Sequence, residues 1–575
     1  MVHRLLPADR SLVFLPADRS LVFVALVAGV VLAAPLAGCP LRTPPEPAAD
    51  PAPADAGPGG AEGEGERVWP PCVVEDDCAA LGPGHMCMNG GCMLMEIVAP
   101  AVAQPAATDV GDALDGAIVV DVDDDPGVLR ASLTAAVRDV TLVDGTATTA
   151  WVYLDDHGDG VARIPGPRVE VVEGTRVVIE LTNDLPVPTT IHWHGLVLPV
   201  DMDGAGHAAD LIPPGGRFTY DFVATRPSLY WFHPHVHADE QIERGLYAPF
   251  VVRPVASTTE PVVGVDVDRE RILVLDDVWL DEAAQIVPPN RGSVMLPDGR
   301  MSFEGMMGRQ GNHLLVNGHE HPRLVVQPGS VERWRIVVVA NARFFRLRLA
   351  GHRFVQIGSD VGLVPEPRAV DELLLSPGER VDVLVAFDAP EDVEGGETPL
   401  STLHHDRGHD MADPGPLVLS TLRFSAPKDA PTPLPSTTTT FAALEPSATP
   451  AQRVVMEEQV LRGGRVGFSF NAELFPDVTP LSATTDAVET WVVENHTHMD
   501  HPFHLHGAPF QVVSVQHDDG AVVPATFRQW KDVVVVPPES TLRFVVRYER
   551  PGMWMFHCHI LEHAERGMMG MIHVD

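Results

Sequence analysis

From about residue 126 onward, apolar residues come in short runs rich in valine, isoleucine and leucine, separated by turn residues. Val169-Glu170-Val171-Val172, Val177-Val178-Ile179-Glu180-Leu181, Leu273-Val274-Leu275, Val383-Leu384-Val385 and Val533-Val534-Val535-Val536 are examples. β-branched enrichment in runs this short fits strands, and apolar recurrence at helical spacing is scarce. Many short strands broken by turn signals predict sandwiches or barrels. The 54 prolines agree with a loop-rich all-β chain. The pattern divides into three units, 126–254, 266–426 and 448–575. Each is long enough for a Greek-key sandwich of about 100–150 residues. Between the last two, the Pro/Ser/Thr-rich stretch 427–447 reads as an extended crossing linker.

The upstream pattern differs. Arg4, Arg10 and Arg19 precede an apolar run from Leu21 to Leu36, which is short for a membrane span and suits a signal segment. It ends in Leu36-Ala37-Gly38-Cys39, which resembles a bacterial lipoprotein cleavage box. Residues 1–39 are therefore expected to be a lipoprotein-type signal, with Cys39 as a lipid anchor and the only membrane contact. An ordinary signal peptide or an uncleaved anchor is the alternative. The expected location is the periplasm or cell surface. Residues 40–70 are rich in Pro, Ala, Gly and acids and read as a disordered tether. Residues 71–95 hold Cys72, Cys78, Cys87 and Cys92, expected to form a small module with two disulfides of undeducible pairing. A zinc site is the alternative.

Composition narrows the function classes. The formal net charge of -39 argues against nucleic-acid partners, which demand clustered basic charge. Of six cysteines, Cys558 alone lies in the β-rich region, and an unpaired thiol in an exported protein points to a metal bond.

Four clusters carry the candidate chemistry: Ile191-His192-Trp193-His194-Gly195, Trp231-Phe232-His233-Pro234-His235, His501-Pro502-Phe503-His504-Leu505-His506-Gly507 and Phe556-His557-Cys558-His559. All contain His-x-His, and residues i and i+2 of a strand share a face. One such pair is a weak signal; four on one chain are a strong one. In the fourth cluster His557 and His559 face one side and Cys558 the other, so two metal sites can share three consecutive residues. Cysteine, two histidines and a weak axial methionine match blue copper, whereas zinc has no redox function.

These motifs resemble those of the three-domain multicopper oxidases, the group of laccases and bacterial cuprous oxidases. The resemblance covers about residues 126–575. Pro165-Gly166-Pro167, Asn183-Asp184-Leu185, Val316-Asn317-Gly318 and Ser376-Pro377-Gly378-Glu379-Arg380-Val381-Asp382 also fit that family. It implies three cupredoxin-like Greek-key sandwiches and four copper ions. Type 1 copper would take His501, Cys558 and His563, with Met568 axial. Type 2 would take His192 and His504. The type 3 pair would take His194, His233, His235, His506, His557 and His559. The trinuclear cluster would lie between the first and third domains, with the second as a spacer. A reducing substrate would give single electrons at a partly exposed His563, which pass through Cys558 until dioxygen is reduced to water. Asp203 matches a family acid near the cluster. Many bacterial relatives carry Glu where this chain has Ala564, so either Glu562 or Glu565 substitutes for it or the proton route differs. The resemblance leads to laccase-like oxidation of phenols or aromatic amines. Oxidation of Cu(I), Fe(II) or Mn(II) in copper tolerance and a non-catalytic copper-binding surface protein are the alternatives. Met295, Met301, Met306 and Met307, and separately His404, His405, His409, Asp410 and Met411, are read as core filling and a solvated loop rather than extra metal sites.

Overall fold

The computed structural model describes residues 85–88, 91–94, 101–143, 145–205, 211–255, 267–289, 302–388, 392–408, 413–434, 442–461 and 465–575. The signal segment with Cys39, the tether, Cys72, Cys78, Met295, Met301, His409, Asp410 and Met411 lie outside the described residues. Strands His85–Met88 and Gly91–Leu94 pair antiparallel with Cys87 opposite Cys92.

Three two-sheet sandwiches follow one another. In the first, the strands Ala147–Asp155, Val128–Thr141, Arg176–Asp184 and Arg217–Val223 form one sheet in that order. Val169–Val172, Ala248–Arg253, Ser228–His233 and His192–His194 form the other. The second sandwich has sheets of seven and five strands, and so does the third. All three share a pair of parallel contacts between strands distant in sequence. These are Val128–Thr141 with Arg176–Asp184 and Val169–Val172 with Ala248–Arg253 in the first. Arg269–Val278 with Val331–Val338 and Arg323–Val326 with Leu417–Phe424 are their equivalents in the second. Gln452–Leu461 with Val488–Asn495 and Leu481–Ala483 with Met569–Val574 complete the set in the third. The topology therefore repeats where the sequence does not.

Alternation fills the cores. Along Val128–Thr141, Leu129, Ala131, Leu133 and Ala135 point inward, onto Ile179, Trp193, Phe222, Phe232 and Phe250. Trp334, Phe345, Phe354 and Phe424 fill the second core, and Trp491, Phe503, Phe544 and Phe556 the third. A further cluster joins all three sandwiches through Leu229 and Trp231, Leu315 and Val337, and Leu561. Burial across these seams fixes the relative placement of the first and third sandwiches, on which any site between them depends. Residues before 126 also pack in: Leu114 enters the second core, and the bridges Thr108–Pro322 and Ile118–Arg168 tie this strap to the second and first sandwiches.

Candidate metal centre

The histidine motifs sit on neighbouring strand pairs of the first and third sandwiches. His192–His194 pairs with Ser228–His233, putting His192 opposite His233. His501–Leu505 pairs with Gly552–Cys558, putting His504 opposite His557. Three one-turn helices complete the region: α1 (Ala238–Glu243), α2 (Phe303–Met307) and α3 (Leu561–Glu565).

Eight histidines converge between the first and third sandwiches. His194, His233 and His559 form one triad, and His235, His506 and His557 another. His192 and His504 join His194 in a third grouping. His192 stacks on His506 and His194 on His504, each with ring centroids 4.0 Å apart.

Two aspartates orient these rings, in a near-symmetric way. The main-chain oxygen of Asp203 accepts from His192 Nδ1 at 2.9 Å, and its Oδ2 accepts from His506 Nδ1 at 2.8 Å. The main-chain oxygen of Asp532 accepts from His504 Nδ1 at 2.8 Å, and its Oδ1 accepts from His194 Nε2 at 3.1 Å. Each aspartate thus holds one histidine of its own sandwich through its backbone and one of the other through its carboxylate. Such outer partners fix the tautomer and aim the opposite nitrogen.

That fixed tautomer makes the centre a fit for cations. His557 Nδ1 donates to the Cys558 carbonyl at 2.8 Å, so its Nε2 presents a lone pair. His506 is fixed likewise by Asp203, yet the two Nε2 atoms face each other at 3.1 Å. Two acceptors at that distance have no hydrogen between them. His192 Nε2, His504 Nε2 and both ring nitrogens of His559 are buried without partners. Burial also holds the imidazoles of His557 and His559 neutral, down to a pKa of about 3. Unpaired buried acceptors are costly unless a metal takes their lone pairs. Imidazole donors alone suit copper.

On the other face of the same strand, Cys558 Sγ lies 3.4 Å from His501 Nδ1 and 3.7 Å from His563 Nδ1. The strand ends at Cys558 and α3 turns His563 back over it. Thr497 Oγ1 lies 2.8 Å from His501 Nε2, and His563 Nε2 donates to the Met306 carbonyl at 2.8 Å. Met568 is fully buried in the same core, and its carbonyl accepts from Cys558 N at 3.1 Å. Burial pushes the Cys558 thiol up, so a thiolate there needs a cation partner. The histidines and the cysteine expected as ligands from the sequence thus lie in two adjoining groups, and Met568 approaches the second through its backbone.

Profiles of the multicopper oxidase family match residues 144–257, 270–393 and 446–575. This chain belongs to the multicopper oxidase family. Over 433 residues it is 32% identical to multicopper oxidase MmcO of Mycobacterium tuberculosis, covering 70% of this chain and 80% of that one. It is 26% identical to a laccase of Bacillus subtilis, covering 70% and 87%. Among solved structures it is similar to a multicopper oxidase from Campylobacter jejuni described as a metallo-oxidase, with a TM-score of 0.69, 29% identity, and coverage of 84% and 100%. As a multicopper oxidase it is a copper-dependent oxidoreductase with dioxygen as acceptor, and its copper complement is of types 1, 2 and 3.

Three expectations need correction. His563 is not partly exposed: it is fully buried, stacked on Phe468 at 3.9 Å and covered by Met306 of α2. The second sandwich is not a mere spacer. It supplies that cover, and it supplies Arg380, whose guanidinium grips Asp532 at 2.6 and 2.5 Å. Asp203 lies at the eight-histidine group, but Glu562 does not: its carboxylate accepts from Asn341 of the second sandwich at 2.9 Å, and desolvation raises its pKa. Glu565 instead reaches α1, accepting from Ala238 N at 2.8 Å close to His235.

Asp532 and Phe468 were not anticipated. The charged pair Lys531-Asp532 directly before the apolar run Val533–Val536 is the signal that could have found Asp532. Phe468 carries none beyond an alternating strand.

Proposed function

We propose that this multicopper oxidase takes its electrons from a reduced metal ion, Cu(I), Fe(II) or Mn(II), in preference to a phenol. The observation that carries this reading is the sealed His563, with its outward nitrogen hydrogen-bonded to a backbone carbonyl and its ring face covered by Phe468. A phenol or aromatic amine would need contact with that imidazole edge, whereas a small cation can deliver an electron from the outer side of α2. The net charge of -39 also favours accumulation of cations around the protein. Laccase-like oxidation of phenols is the second reading, favoured by similarity to the laccase of Bacillus subtilis.

The proposed ligand sets draw on the two side-chain groups described above. His501, Cys558, His563 and Met568 would hold the type 1 ion; His192 and His504 the type 2 ion. His194, His233 and His559, and His235, His506 and His557, would hold the type 3 pair. Bound copper would supply one-electron uptake at the first set and four-electron reduction of dioxygen at the others. The chain's own part is to join the sets: Cys558 is bonded through the backbone to both His557 and His559. Asp203 is the proposed proton-handling acid, with Oδ1 buried and without a hydrogen-bond partner.

Oxygen uptake by copper-loaded protein, compared for Cu(I), Fe(II) and a dimethoxyphenol, tests the substrate class. A higher kcat/KM for the phenol than for every metal ion would reject the metal reading. Export with a lipid anchor at Cys39 and disulfides among Cys72, Cys78, Cys87 and Cys92 complete the proposal. Among the described residues no helix is long and apolar enough to cross a membrane. Cys39→Ala should move the protein from the membrane to the soluble fraction.

A further inference from the structure

The symmetry between the two aspartates is broken by the second sandwich, and only on the Asp532 side. Arg380 uses all five of its N–H groups. Nε donates to the Leu229 carbonyl of the first sandwich at 3.2 Å. Nη1 donates to the Gly378 carbonyl at 3.0 Å and to Asp532 Oδ1 at 2.6 Å. Nη2 donates to the Asp360 carbonyl at 3.0 Å and to Asp532 Oδ2 at 2.5 Å. One side chain therefore bonds all three sandwiches, with full donor satisfaction and a bidentate grip on a carboxylate.

The surroundings are built for this pair. Asp360 Oδ2 accepts from the backbone nitrogens of Asp532 and Val533 at 3.1 and 3.2 Å. Lys531 bridges Asp360 and Glu379 at 3.1 and 2.6 Å. The glycine of the first His-x-His motif makes the room: a Cβ on Gly195 would lie 2.5 Å from Arg380 Nη2 and closer still to Asp532 Oδ2. Gly378 similarly lets the backbone approach the His559 ring, where a Cβ would lie 2.8 Å from Cδ2. Among the described residues Asp203 has no such clamp.

We propose that Arg380 and Asp532 are a positioning pair through which the second sandwich, contributing no metal ligand, governs copper retention at the eight-histidine centre. Arg380 fixes the Asp532 carboxylate, which aligns His194 from the first sandwich, while the backbone of the same residue aligns His504 from the third. Without the clamp, Asp532 turns toward the nearest alternative donor and the stacked His194–His504 pair loses its common aim. The inference rests on the reading of His194 and His504 as copper ligands. Loss of an outer-shell partner lowers metal affinity by about 10–100-fold.

The test compares parent, Asp532→Asn, Arg380→Met and Arg380→Lys after copper loading and dialysis against a graded chelator. Copper per chain and the type 2 paramagnetic resonance signal are read against the blue absorbance of the Cys558 set. Arg335→Met is the control: that arginine is also buried in the second sandwich but pairs with Asp382, away from the histidines. Expected is a 10–100-fold weaker hold on the non-blue copper in Asp532→Asn and Arg380→Met, a smaller loss in Arg380→Lys, and unchanged blue absorbance. Arg335→Met should lower the melting temperature while keeping its copper. Should Arg380→Met not fold, the near-isosteric Asp532→Asn decides. Parent-like chelator resistance in Asp532→Asn overturns the proposal, as does equal copper loss in Arg335→Met. A parent that binds no copper would instead reject the ligand assignment itself.

Discussion

Lowering the pH from 7 to 5.5 should destabilise this protein steeply, and the structure sets the slope. Burial and neighbouring imidazoles depress the pKa of eight histidines: His194, His233, His235, His504, His506, His557, His559 and His563. For His557 and His559 the value falls from 6.5 to about 3. A base with a lowered folded pKa stabilises the fold above its unfolded value, and this contribution is lost as pH falls below about 6.5. At pH 6 the unfolded chain would carry roughly six protons on these residues and the folded chain almost none. Three buried carboxyls act in the opposite direction. Desolvation raises Glu243 to about 8 and raises Asp276 and Glu562, so the folded state gains at most three protons there. The net excess of about three protons in the unfolded state corresponds to about 4 kcal/mol lost per pH unit near pH 6. Against a typical total of roughly 5–15 kcal/mol, the copper-free protein should unfold between pH 5 and 6. Copper raises the stability curve and steepens its slope by about one proton, because the imidazoles are unprotonated with or without metal whereas the Cys558 thiol gives up its proton on binding. Glu243→Gln should steepen the slope by about one proton. Urea denaturation of copper-free and copper-loaded protein, followed by tryptophan fluorescence at several pH values, measures this. A slope near zero in the copper-free protein would refute the reasoning.

Three further outcomes follow from particular side chains. Cys558→Ser should abolish the blue absorbance and dioxygen turnover while copper at the eight-histidine centre stays bound; retained colour in an absorbance scan would contradict the assignment. Phe468→Ala removes a fully buried ring stacked on His563 and should cost about 3–5 kcal/mol in denaturant titration. It should also raise the ratio of phenol to Cu(I) oxidation, and an unchanged ratio counts against sealing as the basis of selectivity. Gly204 has φ +66°, and a Cβ there would overlap the Ile191 carbonyl, so Gly204→Ala should cost at least roughly 1–3 kcal/mol and displace the neighbouring Asp203. Its melting temperature and copper content report the two effects.

The strand pattern and the clustering of the histidines with Cys558 were legible because both depend on local spacing. Alternation along Val128–Thr141 and the i, i+2 pairing of His192 and His194 follow from the pleat alone. The opposite facing of Cys558 and its two flanking histidines follows in the same way. What was not legible depends on contacts across hundreds of residues. The burial of His563 requires Met306, 257 positions earlier, to supply a carbonyl. The role of Asp532 requires Arg380, 152 positions earlier, and His194, 338 positions earlier. Glu562 was placed with the catalytic acids by its sequence proximity to Ala564, where relatives carry Glu, but one helical turn carries it to Asn341 instead. Proximity in sequence is informative along a strand and misleading around a turn.

The paired aspartates give a physical reason for three sandwiches when two supply every histidine. A centre shared by the first and third sandwiches alone would rest on two equivalent carboxylates, each free to rotate and each bridging a mobile seam. Such a seam opens by rigid-body motion at little local cost, and imidazoles spread by even an ångström no longer converge on one ion. The second sandwich removes that freedom on one side only. Arg380 binds the first sandwich at Leu229 and the third at Asp532, so opening the seam breaks charge-assisted bonds buried away from water. On the other side, Asp203 holds His506 through one oxygen and keeps the second without a hydrogen-bond partner. Rigid support and an available carboxylate oxygen are incompatible demands on a single residue. Dividing them between Asp532 and Asp203 lets the histidine cage stay closed while one edge of it remains chemically available.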